Sequence, residues 1–365
     1  MTRGWATKKF KSSPKLEIGS GKAGPDDLSV TRAYSGPVLI LAFMSASAVG
    51  LSLLTGVDGS RVFLPYIAAW AALALLTILL WMFVEIARLA PTRVDRPIQL
   101  TLRRMIAQHK LVLIPGLIFP TFLGAYTWAK SSIPFAVGYP WESFWADADH
   151  ALLGADAWRI AHAILPASLG PALTFFYAVV WGFGLAIGGM VVGIFGGRRL
   201  IATFFTALML SWFVGGFLMA YALSAAGPVF AHLADPALAD RFAPLRGQLV
   251  AILGPDDIVI KSQHYLAMGL TVKTALKGGG VSAMPSMHIA TAIIFLLAAR
   301  GTRWMIPAVA FLLLTFFGSV YLGYHYAIDA PIAAIVAVAC WSLASRVYCR
   351  GRFSSDTRFV PGLFQ

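Results

Sequence analysis

Acidic residues are scarce in this chain. Only 16 Asp and Glu stand among 365 residues, against 29 Lys and Arg, and charged side chains make up 12% of the whole. A soluble domain carries about a quarter charged residues, so a water-facing globular fold is excluded. Cysteine is nearly absent: Cys340 and Cys349 are the two. Lying in or after the last apolar run, they set up neither an exoplasmic disulfide nor a metal site. No P-loop sequence occurs, which argues against a nucleotide-driven pump, and no His-Glu-x-x-His signature of zinc hydrolases is present. The net charge of +13 comes without any module of interleaved basic and aromatic residues, so nucleic acid is not an expected partner.

What the chain has instead is apolar length. Hydrophobic residues make up 58% of it, in stretches long enough to cross a bilayer. Eight are expected, at about 37–56, 63–87, 111–129, 171–195, 201–226, 286–299, 304–323 and 330–348. The fold class is therefore all-α, a polytopic membrane helix bundle. Of the 29 basic residues, 21 fall before the first stretch, on alternate loops, or after the last stretch. By the positive-inside rule both termini are cytoplasmic, and most of the positive charge is topogenic or in contact with anionic lipid. Residues 1–36 read as a disordered basic tail, with no apolar core or cleavage site of a signal peptide. Residues 37–90 read as two N-terminal spans, 108–350 as the main membrane domain and 351–365 as a second cytoplasmic tail.

Two exoplasmic segments are long enough to carry structure. In residues 130–170, Trp145, Ala148, Leu152 and Trp158 alternate with Glu142, Asp147, Asp149 and Asp156, which fits an amphipathic helix lying in the interface. Residues 227–285 end in the triplet Gly278-Gly279-Gly280, a loop whose backbone can approach a bulky anion closely.

Ionisable groups next to membrane spans are costly and tend to be functional. His288 sits in the segment SAMPSMH at the start of the sixth stretch; His325 and Asp329 sit in YHYAID at the start of the eighth. The span count brings both to the exoplasmic face. Pro285 and Ser286 suit a helix start, where Ser caps and free N–H groups attract phosphate. His325 and Asp329 are four apart, one above the other if that stretch is helical. A carboxylate on one ring nitrogen fixes the tautomer and raises the basicity of the other. Such a pair, with His288 to donate and accept a proton, can cleave a phosphoester through a phosphohistidine without metal or other cofactor.

In order and spacing, Pro285-Ser286-Met287-His288 and His325-x3-Asp329 resemble the type 2 phosphatidic acid phosphatase superfamily. The local forms SAMPSMH and YLGYHYAID, with GADAW and the Ala-Gly-Pro at 226–228, look most like its branch of fungal inositol phosphorylceramide synthases and bacterial relatives. The resemblance implies a six-helix phosphatase-like core formed by the third to eighth spans, with the two N-terminal spans outside it. It makes His325 the nucleophile, Asp329 its orienting group and His288 the acid–base. It also implies a phospholipid or lipid-phosphate substrate and, for the bacterial relatives, an inner-membrane location. Two departures stand out. The third motif usually opens Ser-Arg seven and six residues before the nucleophile; here those positions are Gly318 and Ser319. The first motif, Lys-x6-Arg-Pro, is absent, since Arg96-Pro97 is cytoplasmic and lacks the matching Lys. Lys273 and Lys277, with Lys261 behind them, are the candidate replacement cations, and Ser286 and Gly280 are further substrate-binding candidates.

Ordinary explanations exist for each residue singly. His288 suits a helix cap, Asp329 an N-cap, and His325 between Tyr324 and Tyr326 an aromatic belt. Three functional classes stay open: a lipid phosphotransferase or phosphatase, a metalloenzyme ligated by His288, His325 and Asp329, and a transporter using them as a proton relay.

Overall fold

The computed structural model describes residues 28–89, 96–108 and 111–349. The expected tail 351–365 and most of the tail 1–36 lie outside these residues. Every named element among them is helical. Helix α1 is Val30–Thr55, α2 is Phe63–Leu89, α3 is Pro97–Gln108 and α4 is Phe119–Ser131 after a π turn at Ile114–Ile118. Two short helices follow, α5 at Glu142–Leu153 and α6 at Ala157–Ile164. The composite helices α7, Ala167–Phe195, and α8, Arg198–Ala222, each contain a π turn. Then come α9, Ala239–Leu253, α10, Ile258–Met268, α11, Met287–Ala299, α12, Met305–Tyr321, and α13, Asp329–Tyr348.

Five of these helices (α1, α2 with the turn before it, α7, α8 and α13) are long and apolar enough to cross a bilayer, while α11 and α12 are shorter apolar helices. Side chains on their outer faces are left bare, among them Leu54 at 84% and Phe83 at 72% exposure. Large apolar groups in that number are stable only against lipid. This is a polytopic helical membrane protein.

Burial identifies the central element. In α8, 78% of the apolar window is buried, against 11% in α2, and Phe204, Phe205, Leu208 and Met209 are sealed inside it. Around α8 pack α1, α13 and α11. Hydrogen bonds between helices hold this packing where no water competes: Trp212 Nε1 donates to Thr291 Oγ1 at 3.0 Å, and the Thr206 and Tyr348 hydroxyls meet at 3.1 Å.

The N-terminal region departs from the sequence reading in two ways. First, α1 begins at Val30 rather than 37, because Ser29 caps it through a bond from the Arg32 N–H. Second, α1 does not stand outside the core. Helix α1 packs on α4 and α8, and the turn after it pairs with the 273–280 loop: Asp58 N–H donates to Lys273 O at 3.0 Å and Ala275 N–H returns to Asp58 O at 2.8 Å. The indole of Trp128 donates to Val57 O at 2.8 Å. The hairpin is thus stitched to the segment that leads to the SAMPSMH motif.

The 130–170 segment also differs. It forms two helices, α5 and α6, and Leu152 is 65% exposed while Glu142, Asp149 and Asp156 are 1%, 2% and 6% exposed. Three of the four acids expected on the wet face point inward. Asp156 turns in because Arg241 grips it, Nη2 to Oδ1 at 2.6 Å and Nε to Oδ1 at 3.0 Å, with Asp147 on the same guanidinium at 2.7 Å.

Candidate active site

Helix α11 opens at Met287 because Ser286 caps it, accepting from Ile289 N–H at 3.4 Å. His288 therefore lies in the first turn. Its ring is gripped by aromatics: Tyr177 stacks on it at 4.7 Å and 21°, and Trp181 sits 4.1 Å away. Both come from α7.

The turn between α12 and α13 carries His325. The i,i+4 pair is not stacked on a helix: His325 lies in a bend and Asp329 is the first residue of α13. Backbone bonds fold the bend back onto α12, Tyr324 N–H to Ser319 O at 3.0 Å and His325 N–H to the same oxygen at 3.3 Å. The imidazole Nδ1 then lies 2.8 Å from Ala283 O and 2.9 Å from Asp329 Oδ2. Both partners are acceptors, so Nδ1 carries the proton and the lone pair belongs to Nε2. Burial first, and the charge of Lys130 second, push the His325 imidazole down to about 3, against the bond to Ala283. The ring is neutral across ordinary pH. The two imidazoles face each other with centroids 5.7 Å apart and planes at 65°.

Both histidines open into one cavity of 440 Å³. Its wall includes Lys130 from the end of α4, the three glycines 278–280, Tyr324, and a deeper apolar part formed by Trp70, Leu123, Leu185 and Trp212. Among the residues lining it there is no carboxylate. Gly280 has φ +84, and a Cβ there would fall 2.8 Å from Lys130 Cγ; only glycine lets the loop lie on that lysine. Gly227, with φ +96, similarly permits contact with the His325 turn, since its Cβ would meet Tyr324 O at 2.5 Å.

His288, His325 and Asp329 are thus brought together, and Gly280 joins them on the wall. Ser286 is fully buried as a cap and does not line the cavity. Lys273 and Lys277 are exposed and outside the wall; Lys273 Nζ lies 5.8 Å from the Phe135 ring centroid. Lys261 is exposed and bonded to Asp256 at 3.0 Å. The cation beside the histidines is Lys130, which motif reasoning passed over. Its signal was available: it is a basic residue on the sparsely charged face, directly at the end of an apolar stretch. Among the described residues no three His, Cys, Asp or Glu side chains converge as metal ligands.

A profile described as the PAP2 superfamily matches residues 151–344. The chain belongs to the PAP2 superfamily. No curated protein and no solved structure matches it. Membership makes phosphatase or phosphotransferase chemistry on lipid-like phosphates the general activity. It also gives meaning to the Gly318 position, where the superfamily motif places Ser. A Cβ there would lie 3.3 Å from Tyr177 Cδ2, so a bare backbone makes room for the ring that stacks on His288. Ser319, where the motif has Arg, donates its hydroxyl to Phe316 O at 2.8 Å and cannot serve as a cation. This PAP2 protein keeps its positive charge for the cavity on α4, outside the matched residues.

Proposed function

We propose that this protein cleaves a lipid phosphoester through a phosphohistidine on His325 and passes the phosphorylated head group to a second lipid. One observation carries the proposal: a neutral His325 whose Nδ1–H is shared by Asp329 and Ala283, facing His288 and Lys130 in one cavity. In the first step the Nε2 lone pair forms the P–N bond as the ester P–O bond breaks, and His288 protonates the departing oxygen. In the second, His288 takes the proton from an acceptor hydroxyl, that oxygen bonds to phosphorus, and the P–N pair returns to Nε2. Lys130, beside the 278–280 loop, faces the charge that grows on the phosphoryl oxygens.

The aromatic enclosure supports transfer over hydrolysis. Tyr126, Tyr177, Trp181, Trp212 and Phe230 wall the cavity, and an enclosure of this kind keeps water from competing with a lipid hydroxyl. The inositol phosphorylceramide synthase-like motif forms favour an inositol-phosphate-like head group. The His288 end of α11 lies opposite the arginine turn at 300–303, which by the positive-inside rule supports an exoplasmic site and cytoplasmic termini, and the family branch favours a bacterial inner membrane.

The test uses protein in nanodiscs and phospholipids labelled in the phosphate. Wild type should form an acid-labile phosphoprotein, and His325→Ala should form none. Label passing to a lipid hydroxyl establishes transfer; label passing to water establishes a lipid phosphatase instead. Turnover without any His325-dependent label would sink the phosphohistidine route.

A further inference from the structure

The two buried carboxylates of α5 are not needed to cover apolar surface, and burying them is costly unless hydrogen bonds compensate. Burial raises the pKa of both Glu142 and Asp149, and hydrogen bonds counteract it in each case. Neither lines the cavity that holds the histidines. Their partners are what make them informative.

Asp149 Oδ1 accepts the Ile328 N–H at 3.0 Å, and the Ala327 N–H is a further donor to the same carboxylate. These residues immediately precede Asp329, at the start of α13. Helix α13 has no capping side chain of its own, so Asp149 supplies an acceptor at its N-terminus from 179 positions away. Glu142 Oε1 accepts the Tyr326 hydroxyl at 2.6 Å and the Gly227 N–H at 3.1 Å, and Oε2 accepts the Ala226 N–H. Ala225, next to that site, accepts from Ala283 N–H at 2.7 Å. Ala283 is the residue whose carbonyl takes the His325 proton. One carboxylate thus ties the 226–227 segment, which holds Ala283 through Ala225, to Tyr326 behind the imidazole, and the other fixes the turn on its far side.

We propose that Glu142 and Asp149 are positioning residues that hold His325 and Asp329 in the geometry for attack on phosphorus. That role rests on the phosphoester reading above; the bracing itself rests on the hydrogen bonds alone. Neither residue touches the cavity, so they act through the turn they hold. Helix α5 is itself anchored at its end by Arg241, which donates to Asp147, to Asp156 and to the Ala146 carbonyl at 2.9 Å.

The experiment compares full-length wild type with Asp149→Ala, Asp149→Asn, Glu142→Gln and Tyr326→Phe in nanodiscs. Tyr326→Phe removes one hydroxyl and leaves the Glu142 bonds to Ala226 and Gly227 intact, so it reports on the link where truncating Glu142 would prevent folding. Two readouts are taken: turnover of the labelled phospholipid, and the rate at which diethyl pyrocarbonate modifies His325, read by mass spectrometry. A misplaced reacting group of about 1 Å costs on the order of 100-fold, so Asp149→Ala should lower kcat by about 10- to 100-fold with KM within about twofold. Asp149→Asn, which keeps an oxygen for the Ile328 N–H, should recover most of the loss. His325 modification should speed up several-fold in Asp149→Ala and in Tyr326→Phe, at unchanged thermal midpoint. A His325 modification rate equal to wild type in both variants overturns the proposal, as does a rise in KM at constant kcat. Should wild type turn over no phosphoester at all, the phosphoester reading fails and the modification rates alone decide the bracing.

Discussion

At the residue scale, the proposed site is a neutral imidazole opening into a cavity whose lining holds no carboxylate. That arrangement was legible in part. His288, His325 and Asp329 could be assembled from two short motifs because the motifs themselves hold the chemistry. Lys130 carries no such motif; its place at the end of an apolar stretch was the one signal, and its relation to the histidines exists only after α4 packs beside the 278–280 loop. Lys273 and Lys277 were plausible by proximity in sequence to those glycines, yet both are exposed and neither lines the cavity. Truncating the cation that faces the phosphate should therefore matter far more than truncating either loop lysine. A hydrogen bond to a charged group contributes about 1.5–3 kcal/mol, so Lys130→Ala should reduce kcat/KM by about 10- to 100-fold. Lys273→Ala and Lys277→Ala should each cost much less in the same assay. Equal losses for the three would remove Lys130 from the phosphate site.

At the scale of elements, helix ends and the turn between two of them carry the site: His288 opens α11, Asp329 opens α13, Lys130 lies in the last turn of α4 and His325 lies in the bend after α12. The boundaries of α7, α8, α11, α12 and α13 follow the apolar runs of the sequence to within a few residues. The start of α1 did not, because Thr31, Arg32, Tyr34 and Ser35 read as tail while Ser29 in fact caps a helix there. The inward turn of Glu142, Asp149 and Asp156 was hidden for a different reason. Alternation with Trp145 and Trp158 describes an interface helix, but the donors that pull these acids inward lie at 226–227, 326–328 and 241, far along the chain. The 278–280 loop gives a prediction at this scale. At φ +84, with a Cβ 2.8 Å from Lys130 Cγ, Gly280→Ala should cost about 1–3 kcal/mol in stability. It should also weaken binding of orthovanadate, used as a phosphate mimic. Thermal unfolding and vanadate inhibition measure the two; an unchanged vanadate affinity would mean that the loop does not seat the lysine.

At the scale of the whole molecule, acid should loosen the fold in two stages. His325 titrates at about 3 in the folded protein but at about 6.5 when unfolded. Its folded value is the lower, so the unfolded chain takes up the proton first and stability falls as pH drops below about 6.5. Asp156 adds a second stage. Burial acts to raise its pKa, but the bonds from Arg241 and His150 outweigh it and the carboxyl ends below its usual range. Its contribution is complete above about pH 4 and is lost as pH falls through the lower folded value. Thermal midpoints measured from pH 7 to 3 should decline throughout. His325→Gln should flatten the upper part of the slope, and Asp156→Asn the lower part.

The PAP2 match begins at residue 151, yet much of the cavity does not. Tyr66, whose hydroxyl takes the Gly278 N–H at 2.9 Å, Trp70, Tyr126 and Lys130 all precede it, and so do the bracing acids Glu142 and Asp149. The matched residues thus supply the histidines and Asp329, while the cavity's lysine and the two acids bonded behind the His325 turn come from the residues before them. A fragment beginning at residue 151 would carry both imidazoles and lose the groups that surround them.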